Sequence, residues 1–169
     1  SDRQERLHRW KQIADSHAKP AAMYAPTRSG PLVEGDLLAF SEQDVPGIWW
    51  AVLKRHPEDE DLWEIVPADT VDMVGTADVS VLSAFGRLSL RCGLSVWLHQ
   101  EDVEADSRAG ALDAWDLSRA QDKLADVLNG EAEGGLAADE ADADPELAEW
   151  IEELMRSRGR LQASLHAPR

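Results

Sequence analysis

The stretch Leu88–Leu98, LSLRCGLSVWL, gives the strongest structural signal in this 169-residue sequence. Apolar residues occupy every second position: Leu88, Leu90, Cys92, Leu94, Val96 and Leu98. The positions between them are Ser89, Arg91, Gly93, Ser95 and Trp97. Successive side chains of a strand point to opposite faces, so this alternation predicts one half-buried antiparallel strand. Gly93 in its middle predicts a bulge or bend.

Shorter strand-like segments precede this stretch. They are rich in aliphatic and β-branched residues and are separated by turn residues such as Pro46-Gly47: Leu37–Phe40, Ile48–Leu53, Leu62–Val66, Thr70–Val74 and Val79–Leu82. Short strands at such spacing predict a compact antiparallel β-barrel or rolled sheet over about 35–103.

Helical patterns flank this β region. Near the N-terminus, Leu7, Trp10, Ala14 and His17 recur at steps of three and four, which predicts a helix over Asp2–His17. Ser118 opens an S-x-x-Q capping box before a helix that ends at Asn129-Gly130. Asp144-Pro145 is a helix start, followed by a stripe made of Leu147, Trp150, Ile151, Leu154 and Met155.

These patterns predict an α+β fold in which a small antiparallel β-barrel or rolled sheet is flanked by N- and C-terminal helices. We expect a helix, an irregular connection, the β domain with its closing helix, a flexible acidic linker and a C-terminal helix: 1–20, 21–34, 35–130, 131–144 and 145–169. The linker consists of Ala, Gly and acidic residues around one Leu, too little apolar surface to offset the entropy of ordering it.

The net charge of −16 is distributed unevenly along the chain. Residues 1–35 hold six bases and four acids, whereas residues 36–128 hold seven bases and nineteen acids. Farther on, ten acids between Glu131 and Glu153 precede four arginines between Leu154 and Arg169. So acidic a body disfavours direct nucleic-acid binding. It fits either a solubilising surface or an acidic face for a basic protein partner.

Seven tryptophans are the most informative side chains. Trp49 and Trp50 are adjacent in a predicted strand and cannot enter the same core, and Trp97 falls on the polar face. Either the terminal helices cover these rings, since Trp10 and Trp150 lie on matching stripes, or the rings form a binding surface. The candidate partner-binding residues are Trp49, Trp50, Trp97 and Trp150, with the acidic loop residues Glu58, Asp59, Glu60 and Asp61.

Motifs for catalysis or cofactors are not found. The five histidines include no pair at helical metal-ligand spacing, and the glycine and serine patterns of nucleotide-binding loops and hydrolases do not occur. His99 is expected to be an exposed strand-end residue, and Cys92 a buried thiol. We therefore predict no catalytic residue, no metal and no cofactor. Without a membrane-spanning run or a signal-peptide core, we expect a cytoplasmic protein.

One family resemblance follows from the strand pattern. Gly35-Asp36-Leu37-Leu38-Ala39-Phe40, a turn and the apolar Ile48–Leu53 are similar to the opening of the MazF/PemK-like toxins. The resemblance covers about residues 35–128 and implies an SH3-like barrel. Ribonucleases of that family are expected to have a basic residue in the loop after the first strand. Here the loop Ser41–Gly47 contains acidic residues and no basic one, so the resemblance implies the fold of that family but no catalytic residue.

The favoured function is that of a non-catalytic, acidic protein-binding or regulatory module whose partner has a basic surface. It could act as a nucleic-acid mimic or as an immunity or antitoxin-like protein. Two alternatives remain open: a MazF-like toxin-type endoribonuclease, and a structural homodimer formed through the helix at 145–158.

Overall fold

The computed structural model describes residues 31–40, 47–103, 107–133 and 144–165. In these ranges seven strands form one sheet, and two helices accompany it. The strands are β1 Asp36–Leu38, β2 Trp49–His56, β3 Asp59–Asp69, β4 Asp78–Ser83, β5 Gly86–Arg91, β6 Val96–His99 and β7 Arg108–Ala111. The helices are α1 Ala114–Leu128 and α2 Pro145–Leu165. The helix predicted at 1–20, the connection as far as residue 30, and the linker over 134–143 lie outside the described residues.

The sheet is antiparallel, with the strand order β4-β5-β3-β2-β1-β7. β3 pairs with β2 on one side. On its other side, β6 pairs with Leu62–Ile65, and β5 pairs with Ala68 and Asp69. The result is a strongly curled sheet, a half-barrel. The predicted α+β class with a rolled antiparallel sheet is therefore confirmed. β7 is an additional strand that the sequence pattern did not indicate.

The curl brings the two edges of the sheet close together. Phe85 lies in the turn between β4 and β5, at one edge of the sheet, and Gly110 lies in β7, at the other edge. A Cβ atom at Gly110 would lie 3.4 Å from the Phe85 ring. The backbone of β7 therefore packs closely against Phe85 at Gly110.

The first five residues of β2, Trp49–Leu53, are buried on both faces and separate two hydrophobic cores. Trp49, Ala51 and Leu53 join the first core, to which α1 contributes Ala120 and Leu124. Trp50 and Val52 join the second core, to which α2 contributes Trp150, Ile151 and Leu154. The apolar run Ile48–Leu53 has this character because each alternate face meets a different core. Adjacent Trp49 and Trp50 thus enter different cores, as strand alternation requires.

The single strand predicted over Leu88–Leu98 is wrong. β5 ends at Arg91, a 3₁₀ turn occupies Cys92–Leu94, and the chain resumes as β6. Gly93 does lie at the break, where a bend was predicted. The turn moves the apolar residues from one core to the other, so that Leu88 and Leu90 belong to the first core and Val96 and Leu98 to the second.

The loop between β3 and β4 corrects a second strand prediction. Thr70–Val74 is irregular and forms no strand. Its backbone is held instead by side chains of the sheet: the Ser89 hydroxyl and the Arg91 guanidinium both donate to the Val71 carbonyl. Ser89 and Arg91, predicted to face solvent, are consequently buried.

Both helices begin at aspartate caps. α1 starts at Ala114, four residues before the predicted Ser118, because the Asp113 side chain accepts a hydrogen bond from the Asp116 N–H at 2.7 Å. In α2 the Asp144 carboxylate accepts from the Leu147 N–H at 3.1 Å, with Pro145 as the first helical residue. Of the described helices, neither is long and apolar enough to cross a membrane.

α1 also covers the free edge of β4. The Asp116 carboxylate accepts a hydrogen bond from the Leu82 N–H at 3.2 Å, and Arg119 donates to the Ser80 carbonyl at 3.0 Å. The two side chains are themselves joined by an ion pair of 2.9 Å. An ion pair within α1 therefore satisfies one N–H and one carbonyl group on the edge strand β4.

Candidate functional site

The hairpin between β2 and β3 carries an exposed aromatic surface at one end of the sheet. Trp97 in the adjoining strand β6 is 39% exposed. Its ring meets the His56 ring edge-on, with centroids 5.1 Å apart and planes at 66°. His56 in turn accepts a hydrogen bond from the Glu58 N–H at 3.1 Å. Trp97 is thereby connected to the turn of the hairpin through one side chain.

Four acidic residues form the start of β3 and the turn that precedes it. Glu58, Glu60 and Asp61 are exposed, and Asp59 is half-buried. The Asp59 carboxylate accepts from the Asp61 N–H at 3.0 Å, which orders the turn from within. The structure therefore brings Trp97 and the turn with the predicted acidic residues to the same end of the sheet, and His56 contacts both.

A row of three side chains crosses the same face of the sheet. Lys54 in β2 pairs in register with Glu64 in β3, and Glu64 pairs in register with Trp97 in β6. Directly paired residues project from the same face, with Cβ atoms about 4.5–5.5 Å apart. Lys54 and Trp97 are exposed, whereas Glu64 between them is buried. The Oε2 atom of Glu64 accepts a hydrogen bond from the Ser95 hydroxyl at 2.8 Å.

The other predicted binding residues lie elsewhere. Trp50 and Trp150 are packed together in the second core, and Trp49 stacks on Phe85 in the first, with ring centroids 5.1 Å apart. None of these three rings is exposed enough to meet a partner without movement of a helix or strand. For Trp50, the alternative of covering by a terminal helix applies, because Trp50 shares the second core with Trp150, Ile151 and Leu154 of α2.

Groups with catalytic potential are dispersed. Cys92 is fully buried, and burial raises the pKa of its thiol to about 12. His99 lies 3.8 Å from Glu101, longer than a hydrogen bond. Among the residues that the structure describes, no three His, Cys, Asp or Glu side chains are placed to hold a metal ion.

The buried ion pairs of Arg91 with Asp69 and Asp78 hold the fold together. Arg91 forms a two-bond contact with Asp69 at 2.8 and 3.0 Å and a further bond with Asp78 at 2.6 Å, and all three side chains are buried. Burial raises the pKa of Asp69, and the Arg91 guanidinium opposes that shift. Asp78 also accepts from the N–H groups of Val74 and Gly75. This network fastens the β3–β4 loop to the sheet.

Two residues in or near the surface, Trp115 and Glu64, were not predicted from the sequence. Trp115, in the first turn of α1, is 76% exposed, because the helix begins earlier than predicted and turns this residue away from the sheet. Glu64 was not singled out, although an acid inside the apolar segment Leu62–Val66 was a signal that could have been followed. A shallow groove of about 480 Å³ lies beside the β3–β4 loop and is lined by Met73, Arg87 and their neighbours.

A scan against models of protein families finds none that matches this chain, and a search of curated proteins likewise finds no significant match. The resemblance to MazF/PemK-like proteins therefore stays a prediction.

Proposed function

We propose that this chain is a non-catalytic acidic module that binds a protein with a basic surface. Its binding surface is the hairpin end of the sheet, formed by Trp97, Glu58, Glu60 and Asp61. The observation that carries the proposal is the exposed Trp97 ring held against His56 beside four acidic residues. We further propose that the curled sheet is an SH3-like barrel and that the protein is cytoplasmic.

Energetic reasons support this use of the surface. A large aromatic side chain supplies contact area at a low cost in conformational entropy, and tryptophan is enriched among the residues that dominate binding energies. Carboxylates around it attract a basic partner and hold it in register. An acidic surface of this kind also fits a nucleic-acid mimic or an immunity or antitoxin-like protein, which face basic clefts.

Binding through these carboxylates should weaken steeply as salt rises. The screening length shortens from about 8 Å at physiological ionic strength to about 3 Å at 1 M. The full chain, immobilised and exposed to a lysate at low salt, should retain a basic protein that elutes as the salt concentration increases. That protein is then purified and its affinity measured directly against variants of the chain.

Two pairs of substitutions with the same change in net charge distinguish the site from general charge. Glu58→Gln with Glu60→Gln neutralises the hairpin, whereas Asp122→Asn with Glu131→Gln neutralises two exposed acids elsewhere. The hairpin pair should lower the affinity at least about tenfold, and the control pair should change it little. Equal effects of the two pairs, or a partner retained at about 1 M salt, would contradict the proposal.

The tryptophans offer a second matched comparison. Trp97→Ala should abolish most of the binding, whereas Trp115→Ala should leave it intact although Trp115 is the more exposed ring. Loss of binding in Trp115→Ala alone would transfer the interface to α1.

The two alternative functions, an endoribonuclease and a structural homodimer, are tested separately. Reproducible RNA cleavage that is lost on changing a hairpin residue, with metal and chelator controls, would favour the ribonuclease. For the homodimer, three of the stripe residues of α2 pack against the sheet of their own chain: Trp150, Ile151 and Leu154. Light scattering of the full chain, showing twice the monomer mass, would favour the dimer.

A further inference from the structure

Glu64 is a buried acid that lies next to Trp97 of the binding surface. It occupies the middle of the row Lys54–Glu64–Trp97 and is only 2% exposed. Its Oε2 atom accepts from Ser95, but its Oε1 atom is buried and has no hydrogen-bond partner among the described residues. A buried carboxylate in this state is costly for a protein to keep, unless a cation or donor reaches it at some stage of function.

Lys54 does not fill this role in the structure. It stands opposite Glu64 in the register, yet no ion pair joins the two within the described part of the chain, and the lysine side chain is exposed. The unsatisfied carboxylate oxygen is therefore flanked by an outward-turned lysine on one strand and by the half-exposed Trp97 on the other.

We propose that Glu64 and Trp97 together form a receptor for an arginine side chain of the basic partner, an inference that rests on the proposed function. The planar guanidinium stacks on the Trp97 ring and donates hydrogen bonds to the free Oε1 of Glu64. Arginine fits better than lysine, because its delocalised charge is weakly hydrated, stacks on aromatic faces and presents several donors in one plane.

The protein already contains a contact of the same kind on the opposite face of the hairpin. The guanidinium of Arg55 lies over the Trp63 ring, 4.8 Å from its centroid. Entry to Glu64 requires Trp97 to rotate outward, a change that exposed side chains make on a picosecond-to-nanosecond timescale. The exposed Lys54 can swing aside in the same way.

The test uses the full-length chain and two short peptides of equal length and charge, one rich in arginine and the other rich in lysine. Calorimetric titration at fixed low salt should give tighter binding of the arginine peptide. Glu64→Gln keeps the shape of the side chain and an oxygen for Ser95 but removes the charge. It should weaken binding of the arginine peptide about tenfold, as expected for loss of one charge-assisted contact.

The melting temperature of the free protein separates a binding role from a structural one. Glu64→Gln removes a poorly compensated buried charge, so the variant should melt at the same temperature as the wild type or higher. Binding and stability are therefore expected to change in opposite directions or independently. Lower melting temperature together with unchanged peptide binding would identify Glu64 as structural and overturn the receptor.

Further outcomes distinguish the receptor from the broader proposal. Equal affinity for the two peptides, no effect of Glu64→Gln on the arginine peptide, or no binding of that peptide to the wild type would each overturn the arginine receptor. If the purified basic partner still requires Trp97, Glu58 and Glu60, the binding surface stands without it. Loss of dependence on those three residues would overturn the proposed function itself.

Discussion

Replacing Arg91 with methionine should destabilise the protein by about 3–5 kcal/mol, the range for breaking a buried ion pair from one side. The substitution removes the two-bond contact with Asp69 and the bond with Asp78, and it leaves two buried carboxylates without their cation. It also removes the donors to the carbonyl groups of Val71 and Asp72, at 3.0 and 3.2 Å. The β3–β4 loop should therefore loosen together with the global loss.

Urea unfolding followed by tryptophan fluorescence measures this loss. Arg87→Met is the matched control, because Arg87 lies on the same strand but is exposed and, among the residues that the structure describes, donates only to Ser80. It should change the free energy of unfolding by less than about 0.5 kcal/mol. In the double variant Arg91→Met with Asp69→Asn, one uncompensated charge is absent, and part of the stability should return. A loss below about 1 kcal/mol in the single variant would refute the reasoning.

The deficit of Arg91→Met should depend on pH in a defined direction. Burial raises the pKa of Asp69, and Arg91 is the main group that opposes this shift, so its removal raises the pKa of Asp69 further. An acid whose pKa is higher in the folded state than in the unfolded state destabilises the fold once the pH exceeds the unfolded value. The deficit should therefore be smallest in acid and grow as the pH rises towards neutrality. A deficit that is constant with pH would contradict this origin.

Three further predictions follow from single side chains. With a thiol pKa of about 12, Cys92 should react with a disulfide reagent at pH 8 orders of magnitude more slowly in the native protein than in urea, and equal rates would refute its burial. Gly35→Ala should cost about 1–3 kcal/mol, because Gly35 has φ +96°, a conformation that L side chains rarely adopt. Gly159→Ala, in the open middle of α2, should instead stabilise by about 0.5–1 kcal/mol, and chemical denaturation measures both. Trp150→Ala should cost about 3–5 kcal/mol and exposed Met155→Ala less than about 0.5 kcal/mol, and similar melting temperatures would show that α2 contributes little to the core.

The sequence predicted the elements whose pattern is local. Ile48–Leu53 was identified as a strand because its apolar run is continuous, and α2 was identified because a cap, a proline and an apolar stripe agree. The Leu88–Leu98 segment failed for a tertiary reason. Its alternation is real, but the chain leaves the strand in a 3₁₀ turn at Cys92–Leu94. Arg91, just before the turn, is buried against Asp69 and Asp78, which no local pattern reveals.

The candidate site was predictable in part. Trp97 and the acidic turn of the hairpin were both indicated by their positions, on a polar strand face and in a loop. That both lie at the same end of the sheet depends on β6 pairing with β3 and not continuing from β5, which follows from the break at Cys92–Leu94. Glu64 is marked in the sequence as an acid within the apolar segment Leu62–Val66, but the unsatisfied oxygen that makes it a candidate is visible only from the packing around it.

The ion pair of α1 that covers β4 has a consequence for how the protein behaves at high concentration. The outermost strand of an open sheet is the usual place where identical molecules add to one another and begin to aggregate. Here Asp116 supplies the acceptor and Arg119 the donor that a neighbouring strand would offer. These side chains take the place of a neighbouring strand, and another molecule must first break the hydrogen bonds between α1 and β4 before it can extend the sheet. A charge pair in a helix serves this chain as protection against self-association.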